Sequence, residues 1–162
     1  MSIIKMMDRL HPKRIVVVSS APQIRFPDCY GIDMARLEGL VAFQATLALL
    51  KERNLYHIVD EVYAKCKAQA NYIDNDVINY VTEIYTPFSD QEISDKIGEL
   101  LTSDDIKAEV KIIFQTVDNL HLACPKNIGD WYFTGDYPTP GGNRVANKAF
   151  MNFYEGKNAR AY

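Results

Sequence analysis

RIVVVSSAPQIRFPDCYGIDM, from Arg14 to Met34, decides how the rest of the chain is read. Ile15, Val16, Val17 and Val18 form an unbroken run rich in β-branched residues. Such side chains suit a pleated surface, and the run predicts a strand over Arg14 to Ser20, buried on both faces as the strands of parallel sheets are. Two serines end it, and the loop that follows carries Arg25, Asp28 and Asp33 together with Pro22, Pro27 and Gly31. Ligands of open α/β sheets bind beyond the carboxyl ends of the strands, so this loop is a candidate wall of a site. Arg25 offers a bidentate fork, either to an anion or to a structural carboxylate such as Asp28 or Asp33, and the prolines and glycine restrict the path.

Upstream, Ile3, Ile4, Met7 and Leu10 fall at helical spacing behind a capping Ser2, and Pro12 ends the helix. Downstream, Asp33 is a candidate N-cap for a helix that keeps an apolar stripe from Met34 through Leu37, Leu40, Val41 and Leu47 to about Asn54, despite Gly39. Two further helices are expected over residues 55–73 and 75–85. Pro87 interrupts, and Ser89 to Glu92 has the spacing of a capping box, which predicts a helix from Asp90 to about Leu101. A turn follows Ser103. Val110 to Val117 reads as the second strand, with Leu120, Leu122 and Ala123 on a short helix packed behind it. A turn-rich stretch through Gly142 then leads into a terminal helix carrying Val145, Ala149 and Phe153. The fold class is therefore α/β and helix-rich, with few strands, all in one domain spanning residues 1–162.

Composition narrows the function classes. The 162 residues are 48% hydrophobic and 24% charged, with a net charge of −3, and the 18 basic residues are scattered along the chain. No electrostatic footprint for a nucleic-acid backbone results. No apolar run is long enough to span a membrane or form a signal peptide, and Cys29, Cys66 and Cys124 lack metal-site spacing, so a cytoplasmic chain with reduced thiols is expected. Ser19 and Ser20 lack the flanking glycines of a nucleophile elbow. His11, His57 and His121 stand without a second ligand at i+3 or i+4. Asp60 and Glu61 are adjacent on a helix and point about 100° apart, which prevents them from facing each other as an acid/base pair. Tyr63, Tyr72, Tyr80 and Tyr85 are assigned to packing.

The stretch SSAPQIRFPDCYGIDM, with FTGDYPT near the C-terminus, resembles the amidophosphoribosyltransferases, which open purine biosynthesis by making phosphoribosylamine from phosphoribosyl pyrophosphate and glutamine. FSDQEISDKI and VKIIFQTVDNLHLA resemble a helix, and a strand with its helix, of the same family. The resemblance implies the C-terminal part of a type I phosphoribosyltransferase-like fold, with residues 43–86 as a helical insertion. Arg25, Tyr30 and Asp33 would orient the loop beside the phosphoribosyl site and the ammonia path, and Leu40 would line an apolar wall. Members of the family carry a catalytic N-terminal cysteine and a Ser/Thr-rich phosphate loop that this sequence does not contain. The isolated chain is thus expected to be inactive, with the rest of a parent enzyme or a self-associating copy as its partner. Phosphoribosyl pyrophosphate or a purine nucleotide would bind only with the missing loop. Magnesium is expected for the parent enzyme and no cofactor for this chain. In members with an iron-sulfur cluster the ligand positions correspond here to Asp28, Gly129 and Tyr132, so no cluster is expected. An unpaired edge beside Val16 to Val18 would favour dimerisation. The alternative is a non-catalytic nucleotide-binding module, or a partner-docking module acting through the insertion.

Overall fold

The computed structural model describes residues 3–30, 34–71, 76–126 and 129–161. The fold is mixed α/β and helix-rich: α1 (Ile3–Asp8), β1 (Arg14–Ser19), α2 (Val41–Glu52), α3 (His57–Gln69), α4 (Asp90–Leu101), β2 (Glu109–Phe114), α5 (Val117–Ala123), α6 (Trp131–Thr134) and α7 (Pro140–Tyr154). β1 and β2 pair in parallel, Ile15 opposite Val110 and Val17 opposite Ile112. Their carboxyl ends, Ser19 and Phe114, therefore lie side by side.

One core joins the helices to one face of this ribbon. α4 lies between α2 and β2, while α3 packs on α7. Phe43 and Leu50 of α2, Val62 and Cys66 of α3, Ile93 and Ile97 of α4 and Phe150 of α7 are all sealed from solvent. Phe43, Leu50, Val62, Cys66, Val81 and Ile84 thus build the described part of the segment between Phe43 and Thr86 into the core. Helix ends are fixed locally. Ser89 and Glu92 form the expected capping box, each side chain bound to the other's backbone amide. α2 closes in a Schellman turn with Asn54 at φ 57°, where Leu55 N–H reaches Leu50 C=O at 2.8 Å and Asn54 N–H reaches Lys51 C=O at 3.2 Å.

Several expectations are corrected. β1 is not buried on both faces: Ile15 is 1% exposed, but Val16 is 46% and Val18 70% exposed. With only two strands and α4 on one side, Val16 and Val18 stay exposed on the outer face. The helix expected from Met34 begins instead at Val41, because Arg36 and Leu40 are extended and flank a single 3-10 turn at Leu37–Gly39. The helix over residues 75–85 is a 3-10 segment, Tyr80–Ile84, started by the Asn79 side chain accepting from Val81 N–H. β2 stops at Phe114, since the Thr116 hydroxyl caps α5 by accepting from Asn119 N–H. α5 buries no residue, and its Leu122 is 79% exposed.

Candidate functional site

The loop leaving β1 is held in two halves by different partners. In the first half the Gln23 side chain is buried, its amide donating to Asp90 C=O at 2.8 Å and to Ser94 Oγ at 2.7 Å. Its Oε1 accepts from Arg25 Nη2 at 2.7 Å and Nε at 3.1 Å. The Arg25 guanidinium also ion-pairs with Asp90 at the start of α4 and lies over the Tyr85 ring. Of the two roles open to Arg25, the structural carboxylate is the one seen, and it is Asp90. Tyr85 Oη in turn donates to Arg25 C=O at 2.6 Å, and burial raises that phenol's pKa far above the usual range.

The second half is fastened to the segment from Trp131 to Tyr137. Arg25 and Phe26 N–H both donate to Tyr132 C=O, at 2.8 and 3.1 Å. Tyr132 Oη donates to Asp28 Oδ1 at 2.6 Å, and Asp28 Oδ2 accepts from Tyr30 N–H at 2.9 Å. Tyr137 Oη donates to Pro27 C=O at 2.5 Å. Two glycines permit this closeness. Gly135 sits at φ 81°, where a Cβ would meet Asn79 Nδ2 and the Phe26 ring at 2.8 Å, and a Cβ on Gly142 would overlap the Tyr137 ring. Desolvation, then the hydrogen bond to Asp28, pushes the Tyr132 phenol up to about 12. Burial, reinforced by the Asp28 charge, likewise raises the Cys29 thiol and keeps it protonated at neutral pH.

A cavity of about 680 Å³ opens where the two strands end. Its wall includes Ser19 of β1, Phe114 of β2, Gln23 and Ile24 of the loop, and the entry to α2 at Leu40. Leu40 is thus on the cavity. Arg25 faces a different groove, beside Tyr85 and Phe133. Tyr30 is 62% exposed and packs edge-on against Trp131. Asp33 and Tyr72 lie outside the described residues. Ser19 Oγ is turned back on its own loop, donating to Ala21 C=O and accepting from Ala21 N–H. His121, read as isolated, contacts Asp130 Oδ2 through Nε2 at 2.9 Å, a pairing nine positions apart that helical spacing cannot reveal.

Sequence reasoning missed Arg36 and Arg160, which line the same cavity. Arg36 stands two places beyond the motif that drew attention and could have been weighed with it. Arg160 gave no local signal, because only the return of the chain after α7 brings it to the strand ends. No helix is long and apolar enough to cross a membrane among the described residues, nor do these contain a group of three His, Cys, Asp or Glu side chains fit to hold a metal. Comparison of the chain with protein-family models, with curated proteins and with solved structures gives no match.

Proposed function

We propose that the chain is the C-terminal part of the phosphoribosyltransferase unit of an amidophosphoribosyltransferase. The observation that carries this reading is the contact between the two stretches on which the resemblance rests. Phe26 and Asp28 of RFPDCYGID are hydrogen-bonded to Tyr132, next to FTGDYPT, and Pro27 to Tyr137 within it. Asp28 and Tyr132, 104 positions apart, are also two of the three positions equivalent to cluster ligands in iron-sulfur members of the family. A chance likeness of two short stretches gives no reason for them to meet. Their side chains fit no cluster, since a carboxylate and a phenol bonded to each other stand where thiolates would be needed.

In this reading the loop from Ser20 to Tyr30 is one wall of the phosphoribosyl site. Its task is to keep shape and to exclude water from a reaction in which ammonia must compete with water for an oxocarbenium-like carbon. Among the described residues, no group of three His, Cys, Asp or Glu side chains is fit to hold the magnesium that would neutralise the pyrophosphate. The isolated chain is inactive in this reading. The test is a chimera in which these 162 residues replace the corresponding C-terminal part of an established amidophosphoribosyltransferase. Phosphoribosylamine formation from phosphoribosyl pyrophosphate and glutamine is the expected result. A folded chimera with no such activity, or activity in the isolated chain, overturns the reading.

A further inference from the structure

We infer that Tyr85 and Asn79, both within the residues 43–86 that the resemblance leaves as a helical insertion, are positioning residues: each holds one of the two motif stretches, and together they seat the loop after β1 against the turn at Gly135. The inference deepens the reading above, on which it rests for what the seated loop does, by giving the insertion a task inside the site. Tyr85 serves the first stretch. Its Oη donates to Arg25 C=O at 2.6 Å, and its ring meets the Phe26 ring edge-on with centroids 5.3 Å apart. Asn79 serves the second. Its Nδ2 donates to Gly135 C=O at 3.1 Å, while its Oδ1 caps the 3-10 segment by accepting from Val81 N–H at 3.2 Å. Asn79 and Phe26 both close on Gly135, where a Cβ would fall 2.8 Å from each, so the insertion and the two stretches meet at one point with no room for a side chain. A residue that holds others must itself be held, and Asn79 is. On one side of it Val77 C=O accepts from Asn143 Nδ2 at 2.6 Å, and Ile78 C=O accepts from Asn147 Nδ2 at 2.8 Å and Gln69 Nε2 at 2.9 Å. On the other, Tyr80 N–H donates to Asn147 Oδ1 at 3.1 Å. Gln69, Asn79 and Asn147 are buried, and a buried polar network with its members bonded in this way rigidifies the backbone it joins. α3 and α7 thereby fix the segment from Val77 to Tyr80, and that segment fixes Gly135.

The experiment has two arms, each using Tyr85→Phe and Asn79→Ser. The phenylalanine keeps the ring and the serine keeps a capping oxygen, so each change deletes one donor. The first arm is amide hydrogen exchange in the chain itself, with rates taken relative to those of α2. The Arg25 and Phe26 amides, which donate to Tyr132 C=O, should exchange about fivefold faster in Tyr85→Phe, and the Gly135 amide about fivefold faster in Asn79→Ser, the size of one neutral hydrogen bond. The second arm measures phosphoribosylamine formation by the chimera with glutamine and, separately, with an ammonium salt. Both variants should lose about tenfold of the glutamine-supported rate and no more than about twofold of the ammonia-supported one, because a misplaced wall lets ammonia escape on its way while ammonia from solution is in excess. Val62→Ala empties core volume in α3 and deletes no donor, so it should lower both rates alike. Unchanged relative exchange in both variants, or a rate ratio that Val62→Ala shifts as far as they do, overturns the inference and leaves the family reading standing so long as the chimera is active. A folded chimera with no activity removes the family reading, and exchange alone then decides whether Tyr85 and Asn79 seat the two stretches.

Discussion

Tyr132 Oη lies 2.6 Å from Oδ1 of the buried Asp28, a side-chain bond that joins the backbone bonds to Tyr132 C=O in tying the loop after β1 to the segment before α7. A carboxylate removed from water needs charge-assisted partners, and the tyrosine hydroxyl is among those that Asp28 has, together with Tyr30 N–H. Tyr132→Phe deletes the donor and keeps the ring. The expected cost is about 2 kcal/mol, typical of a hydrogen bond to a charged group, measured by urea unfolding. A change below about 0.5 kcal/mol would mean that water replaces the hydroxyl without loss.

The same bond gives an alkaline signature. The folded-state pKa of Tyr132 is pushed up to about 12, above the ordinary value near 10, so its contribution is fully present below about pH 10 and is lost as pH rises towards 12. Burial raises Tyr85 and Tyr137 still further. Absorbance titration of the phenols should therefore show a late group that ionises only with unfolding. Tyr132→Phe should flatten the stability loss across that window, and wild-type-like pH dependence in the variant would refute the assignment.

Acid sensitivity should centre on Glu92. The Ser89 backbone amide, then the Arg53 guanidinium, hold its carboxyl at about 2. A depressed folded-state pKa means that the stabilisation is present above the unfolded value near 4.3 and disappears as pH falls towards 2. Glu92 closes the capping box of α4 and also ion-pairs with Arg53 just past the end of α2, so protonation loosens two helix ends together. Glu92→Gln should lower stability at neutral pH and reduce the further loss between pH 5 and 2. Chemical denaturation at a series of pH values measures both.

Local rules were legible wherever local physics decided the outcome. The capping box over Ser89 to Glu92 and the β-branched run from Ile15 placed α4 and β1 nearly to the residue. The parallel character of the sheet also followed from that run. Its burial did not, since Val16 and Val18 carry the composition of a covered strand without the cover. The break at Leu40 was hidden because Met34, Leu37 and Leu40 keep helical spacing even though the backbone there is extended on both sides of a 3-10 turn. Leu40, named through the family resemblance, lines the strand-end cavity. The Asp90 partner of Arg25 lies 65 positions away, and the position of Arg160 depends on the return of the chain after α7, neither of which periodicity can see.

The exposed side of β1 sets the last expectation. Glu109 N–H donates to Lys13 C=O and Gln115 N–H to Ser19 C=O, each at 3.1 Å, so in the parallel ladder the odd-numbered residues of β1 face β2. The backbone groups of Val16 and Val18 consequently point to the open edge, and their side chains, with Ile113, form an apolar outer face. An edge of this kind is a template for another strand, and a lysine on it is a usual deterrent. Sedimentation should show concentration-dependent association of the wild-type chain. Val18→Lys should raise the dissociation constant about tenfold or more while shifting unfolding by no more than about 0.5 kcal/mol, because the side chain is already 70% exposed. A wild-type chain that remains monomeric at all concentrations would show that the twist or flanking charges of β1 already protect the edge.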